Sequence, residues 1–103
     1  MRRVGQWTRL KEGCEEEYER WHRQVWPEVL EALKRAGISN YTIFRRGRDL
    51  FAYFELQEEG EETMASLEDN AICERWQEKM NQLMETGGEA NPWKSMTEIF
   101  HLD

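Results

Sequence analysis

ISNYTIFRRGRDLFAYFEL, residues 38–56, decides the fold. Ile38 to Arg45 and Leu50 to Leu56 are both rich in β-branched and aromatic residues, which fit a pleated, half-buried surface. The short basic run between them carries Gly47, so the two strands join as a hairpin. Along the second strand Leu50, Ala52, Phe54 and Leu56 share one face, and Phe51, Tyr53 and Glu55 share the other.

Helical patterns flank this hairpin. On its N-terminal side, Gly37 is a good stop for a helix that Pro27 opens at its first turn, with Val29, Leu30 and Leu33 as the buried stripe. Pro27 cannot lie deep inside a helix without removing a hydrogen bond, so an earlier helix, helical in period from Cys14, ends near Gln24. Gly13 is read as its N-cap, with Glu15, Glu16 and Glu17 where the helix dipole favours negative charge. Lys11 to Gly13 is a loop, and Arg3 to Leu10 reads as a strand with Val4, Trp7 and Leu10 as its apolar members. On the C-terminal side, Gln57 to Glu61 is a polar loop and Glu62 to Glu68 a short helix around Met64 and Leu67. Asp69 or Asn70 caps a clearer helix from Ala71 to about Glu85, whose stripe is Ile72, Cys73, Trp76, Met80, Leu83 and Met84. After a loop from Thr86 to Pro92, Met96 to Leu102 forms the last strand.

The order β-α-β-β-α-β is the ferredoxin-like plan of the α+β class. Its helices cover one sheet face and leave the other open. An exposed apolar sheet face marks a binding site or an interface, so a homodimer packed sheet on sheet is expected.

A chain of 103 residues suits one domain, residues 1–103. Five Trp, three Tyr and four Phe argue against disorder despite 34% charged residues. A net charge of −7 repels a phosphate backbone and speaks against nucleic acid as a partner. RDLFAYFEL lies where an RNA-recognition sheet carries its stacking aromatics, and Phe51 and Tyr53 alternate suitably. The glycine that should follow the basic residue is missing, however, and the charge has the wrong sign. No apolar leader and no long apolar run are present, so neither a signal peptide nor a membrane span is expected. Cys14 and Cys73 match no metal or redox spacing and fit two free thiols in a reducing cytoplasm.

Tyr18 and His22 stand at i, i+4 and are neighbours on one helical face. Spacing admits two readings: a hydrogen-bonded core histidine, or an acid/base group that titrates near neutrality beside a phenol and aromatic walls. Trp7, Trp21, Trp26, Tyr41, Trp76 and Trp93 invite a carbohydrate ligand, because sugar C–H faces pack on aromatic rings; for Trp21, Trp26 and Trp93 individually a packing role fits better. His101 reads as a surface residue, and no pair among His22, His101 and the cysteines has the local spacing of a zinc site. Glu15 to Glu17 and Glu58 to Glu62 read as solvated.

EEYERWHRQVWPEVLEALKRAG, NYTIF, CERWQEKM and the terminal EIFHLD occur in the order of the L-rhamnose mutarotase family, which the chain resembles over most of its length. The resemblance implies a dimeric α/β barrel of ferredoxin-like subunits. It also implies a cofactor-free, metal-free isomerase that interconverts the α and β anomers of a 6-deoxy-hexose. By that resemblance His22 is the proton donor, Tyr18 and Tyr41 contact the sugar, and Trp76 with Gln77 forms the sugar-contacting pair of the last helix. The family often has a second tryptophan where this chain has Gln77; an amide hydrogen-bonds hydroxyls where an indole stacks. Relatives of the family also occur as L-fucose mutarotases, so the resemblance leaves L-fucose as an alternative substrate to L-rhamnose. A sugar-binding dimer without catalysis is a second alternative, and a haem-degrading or quinol-type monooxygenase a third, by analogy of fold alone.

Overall fold

In the computed structural model, which describes residues 1–57 and 70–103, the chain runs β1 (Arg2–Arg9), α1 (Glu15–Arg23), α2 (Pro27–Arg35), β2 (Ile38–Arg46), β3 (Asp49–Leu56), α3 (Ala71–Asn81) and β4 (Lys94–Met96). The expected helix at Glu62 to Glu68 lies outside the described residues. The strands form one antiparallel sheet in the order β2-β3-β1-β4, the ferredoxin-like arrangement.

Pro27 sits at the N-terminus of α2, and Trp26 before it is extended (φ −55°, ψ 129°), as a residue preceding proline must be. The chain therefore breaks after Arg23 and restarts at Pro27, so α1 ends within one turn of His22. The N-cap of α1 is Cys14, not Gly13, whose φ of +85° instead serves the turn before it. In α2 Val29 and Ala32 are buried while Leu30 is 46% exposed, because Leu30 lies about 100° round the helix from Val29. Asn70 caps α3 by accepting from the backbone N–H groups of Ile72 (3.0 Å) and Cys73 (3.1 Å). That helix stops at Asn81 rather than near Glu85. The Leu83 carbonyl accepts from Lys11 N–H at 2.8 Å and Glu85 N–H donates to the Arg9 carbonyl at 2.8 Å, so this backbone extends β1 instead of the helix.

One cluster, formed by Leu10, Tyr18, Val29, Leu50, Trp76, Met80, Leu83 and Met84, joins the helices to the sheet. A second, formed by Ala36, Ile38, Phe54 and Leu56, seals the other end. Fully burying a Leu- or Phe-sized side chain stabilises by about 1.5–3 kcal/mol, so these two clusters hold the helices in place. Trp7 belongs to neither. It pairs with Phe51 on the open face, whereas Val4 pairs with Phe54 on the helix face, since residues three apart on a strand point opposite ways. Phe44, 63% exposed, stands across from Phe51 on the same open face.

The last strand is Lys94–Met96, not Met96 to Leu102. Glu98 still holds Arg3 Nε at 2.7 Å, in register with the preceding pairs. Beyond it Ile99, Phe100 and Leu102 are 94%, 78% and 79% exposed.

The hairpin carries one irregularity. Its register shifts between Ser39 and Thr42, and Asn40 takes φ +51°. One extra residue here lets both Ile38 and Ile43 face the helices, and it turns Tyr41 the same way, 5.2 Å from the buried Phe54 ring. Asparagine tolerates left-handed backbone better than a branched residue, and its amide also donates to Glu55 Oε1 at 2.9 Å. Asn40→Val is expected to lower the unfolding free energy by about 1–2 kcal/mol, the cost of left-handed backbone for a residue with a branched Cβ. Urea denaturation checks this, with an unchanged midpoint as the contrary result.

Candidate active site

An open cleft of about 480 Å³ lies between α1 and the β2–β3 hairpin. Helix α1 contributes Tyr18, Glu19, His22 and Arg23; the hairpin contributes Ile43, Phe44, Arg45 and Leu50. Its volume falls in the range of small-molecule sites.

His22 is the best-defined group in it. Its Nδ1 lies 2.9 Å from the Tyr18 carbonyl oxygen. A carbonyl only accepts, so Nδ1 must carry the hydrogen and, in the neutral ring, Nε2 is bare. Burial lowers the His22 pKa, opposed by that carbonyl bond, which favours the charged ring. Burial wins, even though the last turn of a helix also favours a cation, and the resting ring at neutral pH is uncharged.

Aromatic rings hold His22 on two sides. The Tyr18 ring lies 4.1 Å away, tilted by 31°, and Trp76 meets it edge-on at 5.4 Å. Trp26 and Trp21 pack edge-on against Trp76 at 5.2 and 6.1 Å, so these two indoles brace the wall from behind. Burial, and to a lesser degree Tyr41, pushes the Tyr18 phenol well above the ordinary tyrosine value. Among the described residues the Tyr18 hydroxyl has no hydrogen-bond partner, and no fully buried side-chain oxygen is left unpaired, so that hydroxyl reaches the cleft. Tyr41 is 39% exposed, with its ring against Phe54, and burial pushes its phenol pKa up to about 12. Both phenols stay protonated at neutral pH and are hydrogen-bond donors.

Four of the five residues named from the sequence therefore converge. Tyr18, His22 and Trp76 touch ring to ring, and Tyr41 lies close enough to act electrostatically on Tyr18. Gln77 is engaged elsewhere: its Nε2 donates to Asn81 Oδ1 at 2.7 Å, and, like Tyr41 and Trp76, it is not among the residues lining the cleft itself. Six lining residues were not named as site residues from the sequence: Glu19, Arg23, Ile43, Phe44, Arg45 and Leu50. Glu19 and Arg45 meet across the cleft mouth at 2.7 Å. One signal was available for Arg45, since alternation puts it on the same face as Tyr41 and Ile43.

A neutral histidine with one bare nitrogen, protonated phenols and neighbouring aromatic rings are the groups that acid–base chemistry on a small molecule uses, carried here on an α+β subunit with one open sheet face. The family model of L-rhamnose mutarotase matches residues 3–102, and the chain belongs to that family. It is 37% identical to the L-rhamnose mutarotase of Lactiplantibacillus plantarum over 106 residues, covering 100% of both chains. It is 40% identical to that of Bacillus subtilis over 92 residues, covering 85% of this chain and 86% of the relative. The crystal structure of an L-rhamnose mutarotase from Formosa agariphila superposes with a TM-score of 0.86 at 26% identity, covering 100% of both chains.

Proposed function

We propose that this chain interconverts the α and β anomers of L-rhamnose by acid–base opening and reclosure of the sugar ring. The observation that carries the reading is the His22 tautomer, with Nδ1 tied to the Tyr18 carbonyl and Nε2 bare in the cleft. Opening a pyranose moves one proton from the anomeric hydroxyl O1 to the ring oxygen O5. Both oxygens are bonded to C1, so one nitrogen can reach each in turn. Nε2 takes the proton from O1 as the C1–O5 bond breaks and the aldehyde forms. The resulting imidazolium gives the same proton to O5. Rotation about C1–C2 then presents the other carbonyl face, and the steps run in reverse.

His22 thus serves as the acid at the ring oxygen, as the family resemblance implies, and also as the base at O1. Tyr18 and Tyr41 donate hydrogen bonds that orient the sugar without losing their protons. Trp76 backs the imidazole, and Ile43 and Leu50 supply apolar surface that suits the C6 methyl group of a 6-deoxy sugar. The transferred proton is recovered within each cycle and no electron leaves the sugar. No described helix is long and apolar enough to cross a membrane; a cytoplasmic setting is part of the proposal, in keeping with two free cysteines.

The assembly proposed is a homodimer closed sheet on sheet into an α/β barrel. It is supported by the open face bearing Trp7, Phe44 and Phe51 and by a tail with Ile99, Phe100 and Leu102 turned to water. A second copy would cover both. Light scattering in solution is expected to return twice the mass of the chain, and a monomer at micromolar concentration would remove this part of the proposal.

For the reaction itself, His22→Ala is expected to slow anomer exchange by about 10²- to 10⁴-fold while leaving the thermal midpoint close to that of the wild type, the usual worth of a positioned acid/base group. Saturation-transfer NMR on L-rhamnose measures the exchange. Wild-type exchange in a folded His22→Ala protein would sink the mechanism.

A further inference from the structure

Glu19 follows Tyr18 directly and stands one helical turn before His22, so all three belong to the stretch of α1 that lines the cleft. Arg45 faces them from β2, the edge strand, on the side of the sheet that carries Ile43. Arg45 Nε donates to Glu19 Oε1 at 2.7 Å, and an Arg45 Nη1 hydrogen donates to the Gly47 carbonyl at 2.8 Å. The guanidinium is thereby fixed at two points, one on the helix and one on the hairpin turn.

We propose that Glu19 and Arg45 form the hydroxyl-recognition clasp of the sugar site: two specificity-determining residues that grip a vicinal diol of the monosaccharide while His22 works at C1. This rests on the reading of the cleft as the sugar site and goes beyond it by naming what recognises the rest of the ring.

The chemistry fits in four respects. A guanidinium has five N–H donors, and these two bonds use two of them, while Glu19 commits one carboxylate oxygen, Oε1, to Arg45. The pair therefore presents further donors and an acceptor side by side, the complement of two adjacent hydroxyls that each donate and accept. Fixing the fork in advance reduces the ordering cost of binding. The side chains are 33% and 43% exposed, so the pair has little to offer as a structural tie but stays in reach of a ligand. Finally, the two charges offset each other: the His22 shift comes from burial and the Tyr18 carbonyl, so the clasp adds polarity without retuning the reacting ring.

The test is anomer exchange by saturation-transfer NMR over a range of L-rhamnose concentrations, for wild type, Glu19→Ala, Arg45→Leu and Arg45→Lys, with thermal midpoints recorded alongside. Glu19→Ala and Arg45→Leu are expected to raise KM by about ten-fold or more, the loss of a charge-assisted hydrogen bond, with kcat nearly unchanged. Arg45→Lys, which keeps the charge and loses the fork, should fall between. Arg45→Leu should also narrow the KM gap between L-rhamnose and its monodeoxy analogues, because a site built to bind a hydroxyl penalises its absence and one without the fork does not. Unchanged KM in Glu19→Ala and Arg45→Leu, whatever their midpoints, overturns the clasp, and so does a fall confined to kcat. His22→Ala run in parallel separates the two ideas. If it exchanges anomers normally, the sugar-site reading fails; if it is dead and only the clasp variants keep their KM, the clasp alone fails.

Discussion

The 2.9 Å hydrogen bond from His22 Nδ1 to the Tyr18 carbonyl governs what this cleft can do. An imidazole free to rotate would present either nitrogen, in either protonation state. Here the carbonyl selects one tautomer, burial selects the neutral ring, and the rings of Tyr18 and Trp76 hold its plane. What remains is a single basic nitrogen whose position is set by the backbone of its own helix. The helix is in turn set by Pro27, which forces the chain to stop and restart just past the histidine. A covalent ring thus fixes where the His22 imidazole ends up relative to the cleft.

The two faces of the sheet divide the labour. The helix face holds the core and the cleft, and the Asn40 bulge is the device that brings Tyr41 to that side without sacrificing Ile38. The open face holds Trp7, Phe44 and Phe51 and is continued by the tail beyond Met96. An apolar face of this kind costs solubility in a lone subunit, which is the physical argument for a partner across it. Keeping the site on the other face means that covering the open one does not block the cleft.

Much of this was legible in the sequence because its causes are local. The hairpin announced itself through two β-branched, aromatic runs about Gly47, the helix break through Pro27, and the α3 stripe through its 3.6-residue period. Tyr18 and His22 were placed together by spacing alone, although spacing could not say whether the ring worked or merely packed. The failures were of two kinds. Val4, Trp7 and Leu10 were named as the apolar members of one strand with no face assigned, although period 2 already separates Trp7 from the other two. The others depend on distant partners. The bulge exists because Ile38 and Tyr41 both find buried neighbours on one side, α3 ends early because Arg9 and Lys11 claim its following backbone, and Glu19 meets Arg45 only once α1 lies on the edge strand. No window of residues shows those contacts. The short reach of β4 was hidden too, since Ile99 and Phe100 alternate like a strand and yet stand exposed beyond it.

The central claim is that neutral His22, with Nε2 bare, begins the proton transfer. Its most direct test is the pH dependence of protein-catalysed L-rhamnose anomer exchange, followed by saturation-transfer NMR. Because burial lowers the His22 pKa from 6.5, the neutral ring dominates at pH 7, and protonation sets in only below that value. The account predicts a level rate around neutrality that falls as the solution is acidified through the lowered pKa, with kcat/KM reporting the free protein. A rate that instead rises on acidification over that range would mean that the imidazolium is the working form, and would contradict the account.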